Sequence, residues 1–308
     1  MLTADFTAIM FVMKSILFTL VIILLVILTA CSPAEGNDAP SVRAAEVTSI
    51  QNKGSDTIVN LALAWAESYQ AENSDVSISV TGGGSGTGIA ALINETVDIA
   101  NASRSIKPEE IQTMQEKGID PVEYVISRDA IAIIVNLSNP IEKLTMQQVS
   151  DIYSGKINNW SELGGEDRPI VRLSRETNSG THVYFLEQVL RLGDKSDDTL
   201  FAQDTLLLPS SEGITSEVRD NPNAIGYDGL GYITDDEKVI SIADIGSSEY
   251  IIPSIDTVND GTYPIARDLY MYTTGAPSEA VLKYLEWIYS PEAQEIVKEL
   301  GFVPIINP

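Results

Sequence analysis

One cysteine, one histidine and a shortage of cations bound what this 308-residue chain can do. The lone Cys31 excludes a disulfide framework. The lone His182 is too little for a His-based metal cluster or a Ser-His-Asp triad, so no metal, cofactor or catalytic residue is expected, and it reads as a helix-face residue. Lys and Arg number 19 against 44 acidic residues, a net charge of −25, which argues against nucleic acid or an anionic membrane surface as partner. Solubility or a saline habitat explains such acidity. It also repels anions at long range, so an anion site here must work through local dipoles and hydrogen bonds. Prolines number only 14 and hydrophobic residues make up 44%, enough for full cores in two domains.

A run from Ile16 to Leu28 is apolar except for Thr19, follows Lys14 and precedes Thr29-Ala30-Cys31. It is short for a membrane span and right for a signal-peptide core. Leu28-Thr29-Ala30-Cys31 resembles a bacterial lipobox, which implies cleavage before Cys31 and lipidation of that residue; an uncleaved anchor with an incidental Cys is the alternative. Residues 1–30 are read as a lipoprotein signal peptide, with Met13 a second candidate start. Residues 31–46 are read as the lipidated Cys and a flexible tether.

Beyond the tether, strand and helix patterns alternate, which predicts an α/β architecture with largely parallel sheets. Ile58, Leu61, Ala62, Trp65 and Tyr69 form a helical stripe. Val76, Ile78 and Val80 alternate with polar residues as in a strand. Ala130 to Val135 reads as a strand buried on both faces, and Thr145 to Gln148 as a capping box for a helix that stops at Gly155. Further strands are expected at 170–173, 224–227, 239–242 and 265–272, and closing helices near 278–289 and 291–300.

Four segments offer the same chemistry. Ser174-Arg175-Glu176-Thr177-Asn178-Ser179-Gly180-Thr181 leads into an amphipathic stretch, His182 to Leu190. Arg175 supplies a fork of donors, and a Ser-Gly-Thr at a helix start adds hydroxyls and unpaired backbone N–H groups, which suit a small tetrahedral oxyanion. Gly82 to Gly88 holds five glycines around Ser85, between a strand and a helix expected at Ile89 to Asn94. It is no nucleotide loop, because Ile89-Ala90 replace the Lys-Ser/Thr that such a loop needs. Gly54-Ser55-Asp56-Thr57 and Ser103-Arg104 complete the set, although alone the first is also an ordinary helix cap and the second an ordinary loop.

Together with Ile152-Tyr153-Ser154-Gly155-Lys156-Ile157-Asn158-Asn159-Trp160, Asn223 to Tyr232 and Tyr263 to Tyr270, these segments resemble the phosphate-binding proteins of bacterial and archaeal phosphate ABC importers. The resemblance implies a two-lobed periplasmic-binding-protein fold of type II with the ligand in the interlobe cleft. Residues 47–134 and 255–308 would form one lobe and 135–254 the other, with two crossings. It implies phosphate contacts at Ser55, Thr57, Ser85, Ser103 and Arg104, and from the other lobe at Arg175, Ser179, Gly180 and Thr181. Some family members carry an Asp where this chain has Ser103-Arg104; Asp129 is the best replacement for accepting the ligand's proton, with Asp56 next. The implied protein is a periplasmic or cell-surface lipoprotein, not an enzyme, whose partners are inorganic phosphate, the importer's permease and ATPase, and the membrane through its lipid anchor. Receptors for molybdate, sulfate or arsenate, and a secreted phosphatase, are the alternatives.

Overall fold

The computed structural model describes residues 47–305. The signal-peptide, Cys31 and tether expectations lie outside them. In chain order the elements are β1 (Thr48–Gly54), α1 (Asp56–Glu72), β2 (Val76–Thr81), α2 (Ser85–Ile93), β3 (Ile99–Ala102), α3 (Pro108–Glu116), β4 (Pro121–Asn136), β5 (Lys143–Thr145) and α4 (Met146–Tyr153). There follow β6 (Val171–Arg175), α5 (Gly180–Tyr184) running into a π-type turn (Phe185–Leu190), β7 (Leu206–Leu208), α6 (Ser211–Asp220), β8 (Ala224–Gly229) and β9 (Glu237–Ala243). The last are α7 (Ile255–Asn259), β10 (Ala266–Thr274), α8 (Glu279–Ile288) and α9 (Pro291–Glu299).

Strands join in the order β2-β1-β3-β10-β4-β8-β6-β7, with β9 also paired to β4 and β5 to β9. The expectation of largely parallel sheets holds only in part. Pairs β1–β2, β1–β3, β5–β9, β6–β7 and β6–β8 are parallel, but β10 and β4 run antiparallel to their neighbours. The cause lies in β4, whose 16 residues serve two sets of partners. Pro121 to Ala130 pair with β10, whereas Ile131 to Val135 pair with β8. One continuous strand thus links two packed halves. Every residue from Asp129 to Val135 is fully buried, as a strand enclosed on both faces requires.

Each half has its own core. Ile50, Ile58, Trp65, Ile99, Leu269 and Tyr284 pack in one; Ile131, Val149, Tyr153, Phe185, Tyr227 and Ile240 pack in the other. Val258, Tyr263 and Ile265 join the second core, just before β10 returns to the first. Trp65 is fully buried, and its indole N–H donates to the Ala293 carbonyl at 2.8 Å, so α1 is fastened to α9. Trp65→Ala should therefore cost about 3–5 kcal/mol of unfolding free energy, read by chemical denaturation. A loss below about 1 kcal/mol would mean that this contact is marginal.

The 152–160 motif is architectural. Buried Arg172 on β6 donates to the carbonyls of Ile152 and Ile157 and pairs with Asp204. Thr145 and Gln148 form their capping box on α4 as expected. The glycine loop departs from expectation, because α2 starts at Ser85 rather than Ile89. A Cβ at Gly88 would stand 2.5 Å from the Lys53 carbonyl oxygen. Glycine there lets the helix approach the end of β1, and that packing outweighs its poor helix propensity.

Candidate functional site

Ser55 precedes α1, but its hydroxyl does not cap that helix. It donates instead to Ser103 Oγ at 3.0 Å, just after β3. Ser85, at the start of α2, accepts the Ser103 N–H at 3.0 Å and lies 3.3 Å from the Ser103 hydroxyl. Three hydroxyls from three sequence segments therefore meet at one buried point.

The 178–181 loop closes on that point from the other half. A Cβ at Gly180 would overlap the Ser85 hydroxyl and lie 2.5 Å from that of Ser103, so only glycine permits the approach. Thr181 and Thr57 share a hydroxyl hydrogen bond of 2.8 Å. Gly86 N–H donates to the Asn178 carbonyl at 3.0 Å, and the Asn178 amide donates to the Gly83 carbonyl at 2.9 Å. The Ser179 hydroxyl accepts the backbone N–H groups of Thr181 and His182, so it serves as the cap of α5.

The charges form two linked pairs. Arg175, almost wholly buried, donates to Asp56 Oδ2 at 2.9 Å, to the Pro209 carbonyl and to Ser211 Oγ. The other Asp56 oxygen accepts the Gly83 N–H at 2.8 Å, so this carboxylate ties the glycine loop to Arg175. Arg267 on β10 donates to Asp129 Oδ2, the Ser103 carbonyl and Thr181 Oγ1, each at 3.0 Å. Burial pushes the Asp129 carboxyl above its ordinary pKa, and Arg267 offsets that in part. Arg104 sits beside the serines, but its terminal nitrogens grip Glu110 at 2.7 and 2.8 Å.

The site therefore brings together Ser55, Thr57, Ser85, Ser103, Gly180 and Thr181 in direct contact. Arg175 and Asp129 are held at its edges by Asp56 and Arg267, Ser179 supports the loop from behind, and Arg104 is engaged by Glu110. Arg267, Ser211 and Asp228 carry no sequence signal of their own, although Arg267 and Asp228 lie within the family-like segments. Asp228 is fully buried; its Oδ1 accepts the Ser211 hydroxyl at 2.9 Å and the Gly229 N–H at 2.8 Å. His182, which burial pushes below its ordinary pKa, bonds the Ser174 hydroxyl at 3.0 Å and has no place among these groups. Beside the cluster opens a cavity of about 620 Å³, whose lining includes Arg104, Lys107, Tyr184, Arg191, Arg267 and Tyr270.

Comparison with known proteins agrees with this arrangement. The model of the PBP superfamily domain matches residues 39–292. The phosphate-binding protein PstS of Pseudomonas aeruginosa is 32% identical over 273 residues, covering 83% of each chain. The chain belongs to the phosphate-binding proteins of this superfamily. The PstS of Bacillus subtilis is 30% identical over 96% of this chain and 95% of its own. A Clostridium perfringens structure, described as a putative phosphate ABC transporter substrate-binding protein with bound phosphate, superposes with a TM-score of 0.75 at 32% identity. It covers 84% of this chain and all of its own. The fold is thus the two-lobed, type II periplasmic-binding fold.

Proposed function

We propose that this protein is an extracytoplasmic receptor, anchored through Cys31, that binds inorganic phosphate and delivers it to the permease and ATPase of an ABC importer. The observation that carries the reading is the meeting of the Ser55, Ser85 and Ser103 hydroxyls with Gly180 from the facing half, beside the Thr57–Thr181 pair, with Arg175 tied to the glycine loop through Asp56. Hydroxyls that bond one another in pairs can exchange those bonds for bonds to an oxyanion, so the site is a set of donors already converged. The names of the relatives supply the ligand and the importer. We place the lobe crossings near Ala130 in β4 and near Ile265 before β10, rather than after 134 and 254, because Ile131 to Val135 pair with β8 and Val258, Tyr263 and Ile265 join the second core. We take the phosphate contacts to be Ser55, Thr57, Ser85, Ser103, Arg175, Ser179, Gly180 and Thr181. Arg104, next to Ser103, is engaged by Glu110, and Asp129 acts by holding Arg267. No covalent step is part of this reading.

Equilibrium dialysis of the protein against labelled phosphate, competed by unlabelled oxyanions, tests it. Excess phosphate should release the label, while sulfate and molybdate should not. Release by sulfate or molybdate as readily as by phosphate, or hydrolysis of a phosphomonoester with added Mg²⁺ or Zn²⁺, would overturn it.

A further inference from the structure

The charges of the site do not balance. Arg175 and Arg267 face three carboxylates, of which Asp129 and Asp228 are fully buried and Asp56 is partly exposed. Adding an oxyanion beside two carboxylates that are fully buried is costly, because water screens them poorly. One carboxylate must give way, and the hydrogen bonds say which. Both oxygens of Asp56 are engaged, by Gly83 N–H and Arg175. Both oxygens of Asp129 are engaged, by Arg267 and the Leu230 N–H. Asp228 has no direct ion pair among the described residues, and both its donors, Ser211 and Gly229, converge on Oδ1. Its Oδ2 is buried and has no partner among the described residues. Of these oxygens it is the one with no hydrogen bond at all, so it can take a proton with every existing bond kept.

We propose that Asp228 takes up a proton when the oxyanion binds, so that phosphate capture by this receptor is coupled to pH. This rests on the phosphate-binding reading and adds its regulation. The proton lands on Oδ2, removes the charge opposing the ligand, and leaves the Ser211 and Gly229 bonds on Oδ1 in place. Ser211 transmits the change, because its hydroxyl links Asp228 Oδ1 to Arg175 Nη1 at 2.9 and 2.8 Å. Arg175 Nε is itself buried without a partner among the described residues.

The groups that set this equilibrium come from every packed element. Arg175 of β6 favours the ionised form, as do the Ser211 hydroxyl of α6 and the Gly229 N–H; Asp129 of β4 opposes it, and Tyr232 and Glu212 lie in the same field. Burial is the largest influence, and it pushes the carboxyl up to about 6. Burial thus brings the proton affinity of Asp228 towards neutral pH, where a bound anion can recruit a proton.

Calorimetric titration with inorganic phosphate, repeated in buffers of different ionisation enthalpy, counts the protons taken up. Phosphate's own protonation is common to every variant, so the difference between parent and Asp228→Asn isolates this residue. Near pH 7.5 the parent should take up close to one proton more than Asp228→Asn. Its affinity should fall about tenfold more per pH unit above about pH 6, as the protonated form becomes rarer. Equal proton counts and parallel pH profiles would overturn the proposal. If Asp228→Asn does not fold, Ser211→Ala decides. Removing the hydroxyl that favours the ionised carboxylate should move the parent's profile to higher pH, and an unmoved profile would be equally fatal. A parent that gives no heat with phosphate at any pH would instead sink the phosphate-binding reading itself.

Discussion

Arg175→Ala should weaken phosphate binding by well over tenfold, whereas Arg191→Ala should change it little. Arg175 is buried on β6 and locked by Asp56, Ser211 and the Pro209 carbonyl, so its charge is fixed beside the hydroxyl cluster. Removing a buried charged partner costs about 2–5 kcal/mol, far more than the 1.4 kcal/mol that a factor of ten represents. The truncation also leaves the Asp56 carboxylate without its guanidinium, which adds repulsion against an anion. Arg191 is partly exposed, spends its Nε on the Thr199 carbonyl and lines the neighbouring cavity. Titration of both variants separates the two roles. Equal losses would mean that Arg175 contributes only general charge.

Arg267→Met should destabilise the fold by about 3–5 kcal/mol, because it strands a fully buried carboxylate. Asp129 would keep the Leu230 N–H but lose the pair that offsets its burial. The pH dependence has a definite sign. The folded-state pKa of Asp129 lies above its ordinary value, so stability is fully present below the unfolded pKa and is lost as pH rises through the folded one. Removing Arg267 enlarges that shift, and the variant should recover stability in acid. Adding Asp129→Asn to Arg267→Met should restore part of the loss at neutral pH, a coupling that a double-mutant cycle measures. Additive losses would show that the pair is not the source of the effect.

What could be read from the sequence was local. The stripe from Ile58 to Tyr69, the alternation at 76–80 and the capping box at Thr145 each rest on neighbours within a turn or a strand, and each is found. α2 starts earlier than its glycines suggest, because Gly88, which argues against helix, is required by contact with β1, a tertiary demand. Sheet direction is legible only in part for a similar reason. An apolar run such as 130–135 reports burial on both faces, but not whether its partners run parallel or antiparallel.

The site divides in the same way. Ser-Gly-Thr after Arg175 and the serine in the glycine loop announce donors by composition. Their partners do not, since Arg267 reaches Asp129 across 138 positions and Arg175 reaches Asp56 across 119. Asp56 at a helix start reads as a cap, yet its carboxylate joins the glycine loop to Arg175. Ser211, first residue of α6, gave no signal of its own, because that helix was not anticipated and a serine at a helix start has an ordinary explanation.

A crystal structure of the phosphate-soaked protein tests the account most directly. Phosphate should lie between Ser55, Ser85 and Ser103 on one side and Arg175, Gly180 and Thr181 on the other, with the Ser55–Ser103 and Thr57–Thr181 bonds exchanged for bonds to its oxygens. Phosphate held instead in the cavity of Lys107 and Arg191, with the serine cluster unchanged, would contradict it.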